Sequence, residues 1–176
     1  MSCELPEAII LAGPNGAGKT SFANAYFAAP DEGLVFVNAD EAARRLAPTG
    51  HKGEALDFAA SRLVLRQMDM LVELGQEFMV ETTLATLAYV RKIPEWSSAG
   101  YHISLIYLRL TTVDASISRV KRRVANGGHG IPERVLRRRF SRSLDYLEQI
   151  YKPIVDDWSV WDSLEGDFVV SATSDD

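Results

Sequence analysis

The chain has 176 residues, of which 47% are hydrophobic and 24% are charged, a balance typical of soluble globular proteins. It has no apolar run close to the roughly 20 residues that span a bilayer, no basic and apolar start typical of a secretory signal, and one cysteine, Cys3, which cannot form an internal disulfide. We therefore expect a cytoplasmic protein without membrane contact, folded as one domain over residues 1–176. The net charge of −5 argues against a general nucleic-acid binder.

Strand-like and helix-like segments are predicted to alternate along the chain. Short runs of apolar and β-branched residues predict strands, and apolar residues spaced by three and four predict helices. Such alternation is typical of βαβ units and a mostly parallel sheet. The predicted strands are Ala8–Ala12, Leu34–Asp40, Phe78–Thr83, His102–Leu110 and two short final segments, Trp158–Ser163 and Asp167–Ala172. The predicted helices are Lys19–Ala28, a short segment after Asp40, Gly53–Gly75, Leu87–Ser97, Val113–Ala125 and Pro132–Tyr151.

A phosphate-binding loop is predicted between the first strand and the first helix. The segment from Gly13 to Thr20 matches the pattern G-x-x-x-x-G-K-[ST] in full, and the strand before it and the helix after it are the required context. Glycines let backbone N–H groups turn toward phosphate oxygens, Lys19 reaches the β- and γ-phosphates, and the Thr20 hydroxyl completes the shell of a Mg²⁺ ion. Ser21 either supports the loop or caps the helix. The predicted nucleotide-binding residues are Pro14, Asn15, Gly16, Ala17, Gly18, Lys19, Thr20 and Ser21.

Two carboxylates are predicted at the ends of neighbouring strands, Asp40 after the second and Glu81 after the third. Ligands of open parallel sheets bind at the carboxyl ends of strands, and phosphoryl transfer to an alcohol needs a carboxylate that accepts the hydroxyl proton and help in holding Mg²⁺. Alternatively, Asp40 is only the N-cap of the following helix and Glu81 is a solvated strand end. Thr82 and Thr83 fit either a strand or a substrate-binding role. No strand ends in Asp-Glu, which argues against a transporter ATPase.

An arginine-rich segment follows the fourth strand. Nine Lys or Arg and a single acid lie between Arg119 and Arg142, so this segment carries +8 and the rest of the chain −13. Like charges crowded on helices are destabilising unless an anion relieves them, and guanidinium groups suit phosphate. We expect the two helices over residues 112–150, the lid hairpin, to close over phosphate around a glycine-containing loop. Alternatively, this is a solvated basic face, and His129 in the loop is a turn residue.

Four segments together resemble the zeta toxin family of P-loop kinases: "GPNGAGKTSFA", "VNADEAARRLAP", "FMVETTLAT" and "RVKRRVANGGHGIPERVLRRRFSRSLDYL". The similarity runs from about Ile9 to Leu147. The resemblance implies an α/β P-loop NTPase or kinase fold of three layers, with a mostly parallel sheet and an arginine-rich helical lid. It also implies ATP and Mg²⁺ as cofactors, since family members with known activity use them to phosphorylate a sugar hydroxyl of UDP-N-acetylglucosamine.

The same resemblance assigns roles to individual residues. It implies that Asp40 is the base that activates the acceptor hydroxyl and that Glu81 and Thr83 contact the acceptor, with Thr82 beside them. The arginines implied to hold the γ-phosphate are Arg123 and one of Arg138 and Arg139, with Arg119 nearby.

The acceptor stays open at this point. Asp40 is followed by Glu41-Ala42-Ala43, where the toxins tend to place aromatic and basic residues. We expect a kinase for a small-molecule hydroxyl, with a nucleotide sugar as one candidate. The alternatives are a nucleic-acid end kinase, with the lid hairpin on the backbone, and a nucleotide-dependent binding switch or toxin–antitoxin component with negligible turnover. Nothing in the sequence shows an antitoxin partner.

Overall fold

The computed structural model describes residues 5–27, 33–46, 54–128 and 130–175. Its centre is a sheet of six strands in the order β2-β3-β1-β4-β5-β6. The first five strands are parallel, and β6 is antiparallel to β5. The strands are β1 Glu7–Ala12, β2 Val35–Asn38, β3 Phe78–Thr82, β4 His102–Arg109, β5 Asp157–Ser163 and β6 Phe168–Thr173.

Six α-helices connect these strands in the described part of the chain. The last of them continues through a π-helical turn, Leu147–Tyr151, and a 3₁₀ turn, Lys152–Ile154. The helices are α1 Lys19–Tyr26, α2 Ala39–Leu46, α3 Glu54–Glu73, α4 Lys92–Ser98, α5 Val113–Ala125 and α6 Glu133–Tyr146. Within the described ranges, no helix has both the length and the apolarity needed to cross a membrane.

The predicted strands and most predicted helices are confirmed within two residues at their described ends, and the main difference is α4. This helix begins at Lys92 rather than at Leu87. The later start places Pro94 in the first turn, where backbone N–H groups lack helical partners and proline is tolerated. Helix α5 is capped by Thr112, whose side chain accepts a hydrogen bond from the Ala115 amide.

The core consists of two apolar layers, one on each face of the sheet. Alternate residues of a strand point to opposite faces. Ile10 of β1 therefore packs in the layer that includes α3 and α4, and Ile9 packs in the layer that includes α1. Both layers are closed to solvent, since Ile10 is fully buried and Phe22 of α1 is 1% exposed. The two faces together hold β1 at the centre, which fixes the position of the loop that follows it.

The lid hairpin is anchored to the body of the protein by both helices. A small cluster joins Ile117 and Val120 of α5 to Leu136 of α6. Farther along α6, Phe140 packs in the α1-side layer and Leu144 packs in the opposite one. On α5, Ile117 and Val120 are buried, whereas Val124 near the end of the helix is 42% exposed.

A cluster of charged side chains lies at the amino ends of three strands, opposite to the phosphate loop. Asp157 contacts His102 with 2.6 Å between Oδ2 and Nε2, and Ser104 donates hydrogen bonds to Glu7 and Asp157. The hydrogen bond with Asp157 raises the pKa of His102, and the charges of Asp157, Asp156 and Glu7 raise it further, while partial burial lowers it. The protonated imidazole is therefore favoured by folding.

The charge of His102 predicts a pH-dependent contribution to stability. A raised folded-state pKa means that the contribution is fully present below the unfolded pKa of about 6.5 and is lost as the pH rises through the folded-state value. We expect His102→Gln to lower the melting temperature at pH 6 and to have a smaller effect at pH 9. Thermal unfolding followed by circular dichroism at both pH values tests this. An effect of equal size at the two pH values would contradict it.

Candidate active site

The phosphate loop joins β1 to α1, as the sequence predicts. Gly13, Gly16 and Gly18 all have positive φ angles, of 144°, 81° and 83°, which residues with a side chain rarely adopt. Gly18 stands directly before α1, and its carbonyl accepts a hydrogen bond from the Phe22 amide. The loop therefore ends at the N-terminus of a helix, where free backbone N–H groups and the helix dipole attract anions.

The Lys19 side chain lies on the loop rather than in solvent. It is 7% exposed, and its ammonium group donates hydrogen bonds to the carbonyl oxygens of Gly13 at 2.9 Å and Pro14 at 3.2 Å. A buried ammonium without such acceptors would be costly. These bonds hold a positive charge beside the backbone that phosphate would approach.

Glu81 is brought next to the phosphate loop by the pairing of β3 with β1. Its Oε2 atom accepts hydrogen bonds from Thr20 Oγ1 at 3.1 Å and Asn38 Nδ2 at 3.0 Å. The three side chains come from α1, β2 and β3, so they meet at the carboxyl edge of the sheet. The sequence had no signal for Asn38 except that it is a polar residue near the end of a predicted strand.

The donors at this edge fit a magnesium ion. Mg²⁺ prefers oxygen ligands and is usually held by one or two protein groups together with water and substrate phosphates. The Thr20 hydroxyl and the Glu81 carboxylate supply two such oxygens 3.1 Å apart. Among the described residues, no group of three or more His, Cys, Asp and Glu could hold a metal by itself.

Helix α5 contacts the outside of the phosphate loop. Arg119 donates hydrogen bonds to the carbonyl of Gly16 at 3.3 Å and to the hydroxyl and carbonyl of Ser163 at 2.7 and 3.1 Å. Ser116, one helical turn earlier, donates a hydrogen bond to the carbonyl of Asn15 at 2.5 Å. The buried Oδ1 atom of Asn15 has no hydrogen-bond partner among the described residues.

A cleft of about 410 Å³ opens beside the phosphate loop, between α5 and the turn that joins β5 to β6. The Phe168 ring forms one wall and lies 3.2 Å from where a side chain on Gly18 would begin. The cleft combines an aromatic ring, arginine side chains and turn backbone. Its lining residues are Gly18, Ser21, Arg119, Arg122, Ser163, Leu164, Glu165, Gly166, Asp167 and Phe168.

Comparison with known proteins decides the family. The family model described as zeta toxin matches residues 1–160. This chain belongs to the zeta toxin family. An uncharacterized protein of Haemophilus influenzae is 24% identical over 134 residues, which are 76% of this chain and 92% of that protein.

Two solved structures have the same fold as this chain. A chain of the PezAT chromosomal toxin–antitoxin system of Streptococcus pneumoniae has a TM-score of 0.69 at 18% identity, over all of this chain and 75% of that chain. A chain of the AvrRxo1-ORF1:-ORF2 complex with ATP has a TM-score of 0.70 at 21% identity, over 96% of this chain and 58% of that chain. The predicted P-loop kinase fold is confirmed. Family and fold together support a P-loop kinase-type, phosphotransferase function.

The residue that the zeta toxin resemblance implies as the base, Asp40, lies in the first turn of α2. The strand ends at Asn38, and the helix begins at Ala39. Asp40 is therefore one residue inside the helix, rather than at the end of the strand as the sequence predicts. A carboxylate in the first helical turn is favoured by the helix dipole. The backbone places Asp40 at the same edge of the sheet as Glu81, which pairs with Asn38 across β2 and β3.

The turn after β3 is tightly held. The Thr82 side chain is 9% exposed and accepts a hydrogen bond from the amide of Leu84 at 3.0 Å. Leu84 is fully buried with φ 59°, an unfavourable conformation for a residue other than glycine. Burial raises the pKa of nearby Tyr89 to about 12, while a hydrogen bond to Thr82 lowers it. Thr82 thus supports the turn, and Thr83 is the more accessible of the two threonines.

The arginines of the lid hairpin differ in their surroundings. Arg119 contacts the phosphate loop. Arg123 and Arg138 are exposed, and Arg139 is half-buried. Part of the basic charge is balanced internally, since Arg137 forms ion pairs with Asp114 and Glu133 at 3.0 and 2.8 Å. His129 lies outside the described residues.

Proposed function

We propose that this protein transfers the γ-phosphoryl group of ATP to a hydroxyl group of a small molecule, and that UDP-N-acetylglucosamine is the first acceptor to test. The observation that carries the proposal is the meeting of Lys19, Thr20 and Glu81 at the carboxyl ends of β1 and β3. Family membership supports the same reaction class.

In this proposal the phosphate loop and Lys19 hold the terminal phosphates. The backbone N–H groups before α1 donate hydrogen bonds to phosphate oxygens, and the Lys19 ammonium exchanges its two carbonyl contacts for the β- and γ-phosphates. Thr20 and Glu81 would hold Mg²⁺, which would supply positive charge beside the phosphates. Arg123, with Arg138 or Arg139, supplies positive charge for the γ-phosphoryl group as it moves.

We place the nucleotide base in the cleft between α5 and the β5–β6 turn. The cleft opens beside Gly18, so a base there is continuous with phosphates on the loop. The Phe168 ring and the Arg122 guanidinium, which line it, can both stack on a planar base. The backbone groups of residues 163–167 provide hydrogen-bond partners for the edge of the base.

The acceptor is placed at the edge formed by the N-terminus of α2 and the turn after β3. The acceptor hydroxyl oxygen attacks the γ-phosphorus as its proton passes to the Asp40 carboxylate. A new O–P bond forms, the bond to ADP breaks, and ADP leaves. Glu81 and Thr83 contact the acceptor from the neighbouring strand end.

Turnover of ATP against a panel of acceptors tests the proposed function. The panel is led by UDP-N-acetylglucosamine and includes other nucleotide sugars, free sugars and oligonucleotides with 5′-hydroxyl ends, and products are identified by mass spectrometry. A phosphorylated small molecule that forms only with ATP and Mg²⁺ would support the proposal. Binding of ATP without any phosphorylated product would contradict it and favour a binding switch. Phosphorylated oligonucleotide alone, with binding that weakens steeply with salt, would favour a nucleic-acid end kinase.

A protein antitoxin is a candidate partner, because the PezAT structure belongs to a toxin–antitoxin system. Such a partner would have to cover the cleft or the acceptor edge to inhibit transfer. Loss of turnover on addition of a purified candidate, with ATP binding measured in parallel, shows which of the two is covered.

The proposed role of Asp40 predicts a separation of binding from transfer. We expect Asp40→Asn to bind ATP as the wild type does and to lose at least about 100-fold in transfer rate, because the acceptor hydroxyl loses its proton acceptor. Isothermal titration with ATP and initial rates with the best acceptor measure the two effects. Glu41→Gln is the matched control, since Glu41 is the next residue and pairs with Arg45 on the same helix. Unchanged transfer in Asp40→Asn would leave Asp40 only a helix-stabilising role.

A further inference from the structure

Helix α5 is bonded to the phosphate loop from outside. Ser116 is 1% exposed, and its hydroxyl donates to the carbonyl of Asn15 at 2.5 Å. The guanidinium of Arg119 donates to the next carbonyl along the loop, that of Gly16. The two donors stand three residues apart on the same helix, so they lie on one face of it.

All four carbonyl groups from Gly13 to Gly16 therefore have an identified hydrogen-bond partner. Lys19 binds the first two, and the Pro14 carbonyl also accepts from the Ala17 amide. Ser116 and Arg119 bind the other two. The bonds from Ser116 and Arg119 do not depend on Lys19, so the peptide planes after Asn15 and Gly16 have little freedom to rotate even when Lys19 exchanges its contacts for phosphates.

The direction of a carbonyl decides the direction of the following N–H group. In a planar trans peptide the two groups point to opposite sides. The Asn15 carbonyl points toward α5, because it accepts the hydrogen bond from Ser116. The Gly16 N–H of the same peptide therefore points away from α5. This is the orientation that a phosphate on the inner side of the loop requires.

The fit between α5 and the loop is close enough to depend on glycine. A side chain on Gly16 would begin 3.0 Å from the Cβ of Arg119 and 3.1 Å from the carbonyl oxygen of Ser116. Both neighbours belong to the helix and have little room to move, because Val120 of the same helix is buried in the α5–α6 cluster. Gly16 thus serves contact with α5 as well as the shape of the loop.

We propose that Ser116 and Arg119 are positioning residues for nucleotide binding: from α5, Ser116 holds the Asn15 carbonyl so that the Gly16 amide faces the phosphates. Arg119 holds the Gly16 carbonyl, which keeps the following Ala17 amide in its bond to Pro14 and so preserves the shape of the loop. Arg119 also bonds Ser163, at the end of β5, so the same helix fixes the loop and the turn that walls the cleft. This inference rests on the proposed function only for its ligand, a nucleoside polyphosphate. It gives Arg119 an indirect role, in place of direct contact with the γ-phosphate.

The affinities of variants for ATP and ADP test this inference. Loop amides bind phosphates that both nucleotides carry, whereas a direct γ-phosphate contact exists only with ATP. We expect Ser116→Ala to lower the affinity for both nucleotides about 5-fold and Arg119→Met to lower it about 10-fold or more. In both variants the ratio of the ATP affinity to the ADP affinity should stay within about 2-fold of the wild-type ratio. Arg119→Lys, which keeps the charge but not the planar fork, should recover only part of the loss.

Matched controls come from the lid hairpin. Ser118→Ala changes an exposed serine of α5, and Arg134→Met changes an exposed arginine of α6; both should bind the two nucleotides as the wild type does. Circular dichroism and thermal unfolding show that each variant is folded at the temperature of titration. If Ser116→Ala does not fold, Ser116→Cys keeps the volume with a weaker donor and takes its place.

The outcomes separate this inference from the proposed function. Wild-type affinity in folded Ser116→Ala or Ser116→Cys, or a loss confined to ATP in Arg119→Met, would overturn the inference. Equal losses of affinity for ATP and ADP would support the inference even if no acceptor is ever phosphorylated. The absence of a phosphorylated acceptor would contradict only the proposed function. A wild-type protein that binds neither nucleotide would overturn both.

Discussion

Lys19→Met is expected to reduce phosphoryl transfer by at least about 100-fold, the scale on which a donor aimed at developing charge contributes. Methionine preserves the length and most of the packing of the side chain but removes the ammonium group, which is buried against the carbonyls of Gly13 and Pro14. Without it, no lysine of the loop faces the β- and γ-phosphates. The rate of ADP formation in the presence of the best acceptor measures the effect, and ATP affinity should fall as well.

Two further variants make this result specific. Lys121→Met removes an exposed lysine whose nearest acid, Glu133, is 3.8 Å away, and it should leave transfer within about 2-fold of wild type. Lys19→Arg keeps the charge but brings a larger planar group into a buried place, so it should not restore activity. Full activity in Lys19→Arg or Lys19→Met would contradict the role of this side chain in transfer.

Gly13→Ala is expected to lower the free energy of unfolding by about 2–4 kcal/mol. Gly13 has φ 144°, and a Cβ atom there would lie 2.5 Å from the backbone oxygen of Leu108 in the neighbouring strand β4. The added methyl group meets both an unfavourable backbone conformation and an atom that the sheet holds in place. Either the strand pair separates locally or the loop leaves its position over β4.

Urea unfolding of Gly13→Ala and of Gly33→Ala measures this cost. Apart from its chain neighbours, no atom of the described residues lies within 4 Å of the place where a side chain on Gly33 would begin, so that control should change stability by less than about 1 kcal/mol. Nucleotide affinity of Gly13→Ala below its unfolding midpoint should also fall, because the loop begins at this residue. Equal midpoints for the two variants would show that the approach of Gly13 to β4 is not a constraint on the fold.

Prediction from the sequence was most accurate where the signal is local. The phosphate loop, the strand before it and the helix after it follow from residue types at fixed spacing, and the structure has all three. The start of α4 was predicted five residues too early, because the apolar spacing continues through Leu87, although the chain forms a turn there and Leu87 is 50% exposed. That turn depends on contacts distant in sequence, such as the hydrogen bond from Tyr151 to the carbonyl of Thr86.

The carboxylates illustrate the same limit. No single segment of the sequence specifies the strand order. The sequence therefore predicts that Glu81 lies at a strand end, but it does not predict which strand lies beside it. Pairing of β3 with β1 then puts Glu81 3.1 Å from Thr20, a residue 61 positions away. The role of Asp40 and the arginine contacts with the γ-phosphate stay predictions.

By itself the sequence determined the phosphate loop, the alternation of strands and helices and the resemblance to the zeta toxin family, because each depends on residue types at short spacing. The tertiary structure alone decided what surrounds that loop: Glu81 and Asn38 on one side and Ser116, Arg119 and Phe168 on the other. These contacts join residues up to 150 positions apart, and burial of both faces of the sheet, rather than any local preference, brings them together.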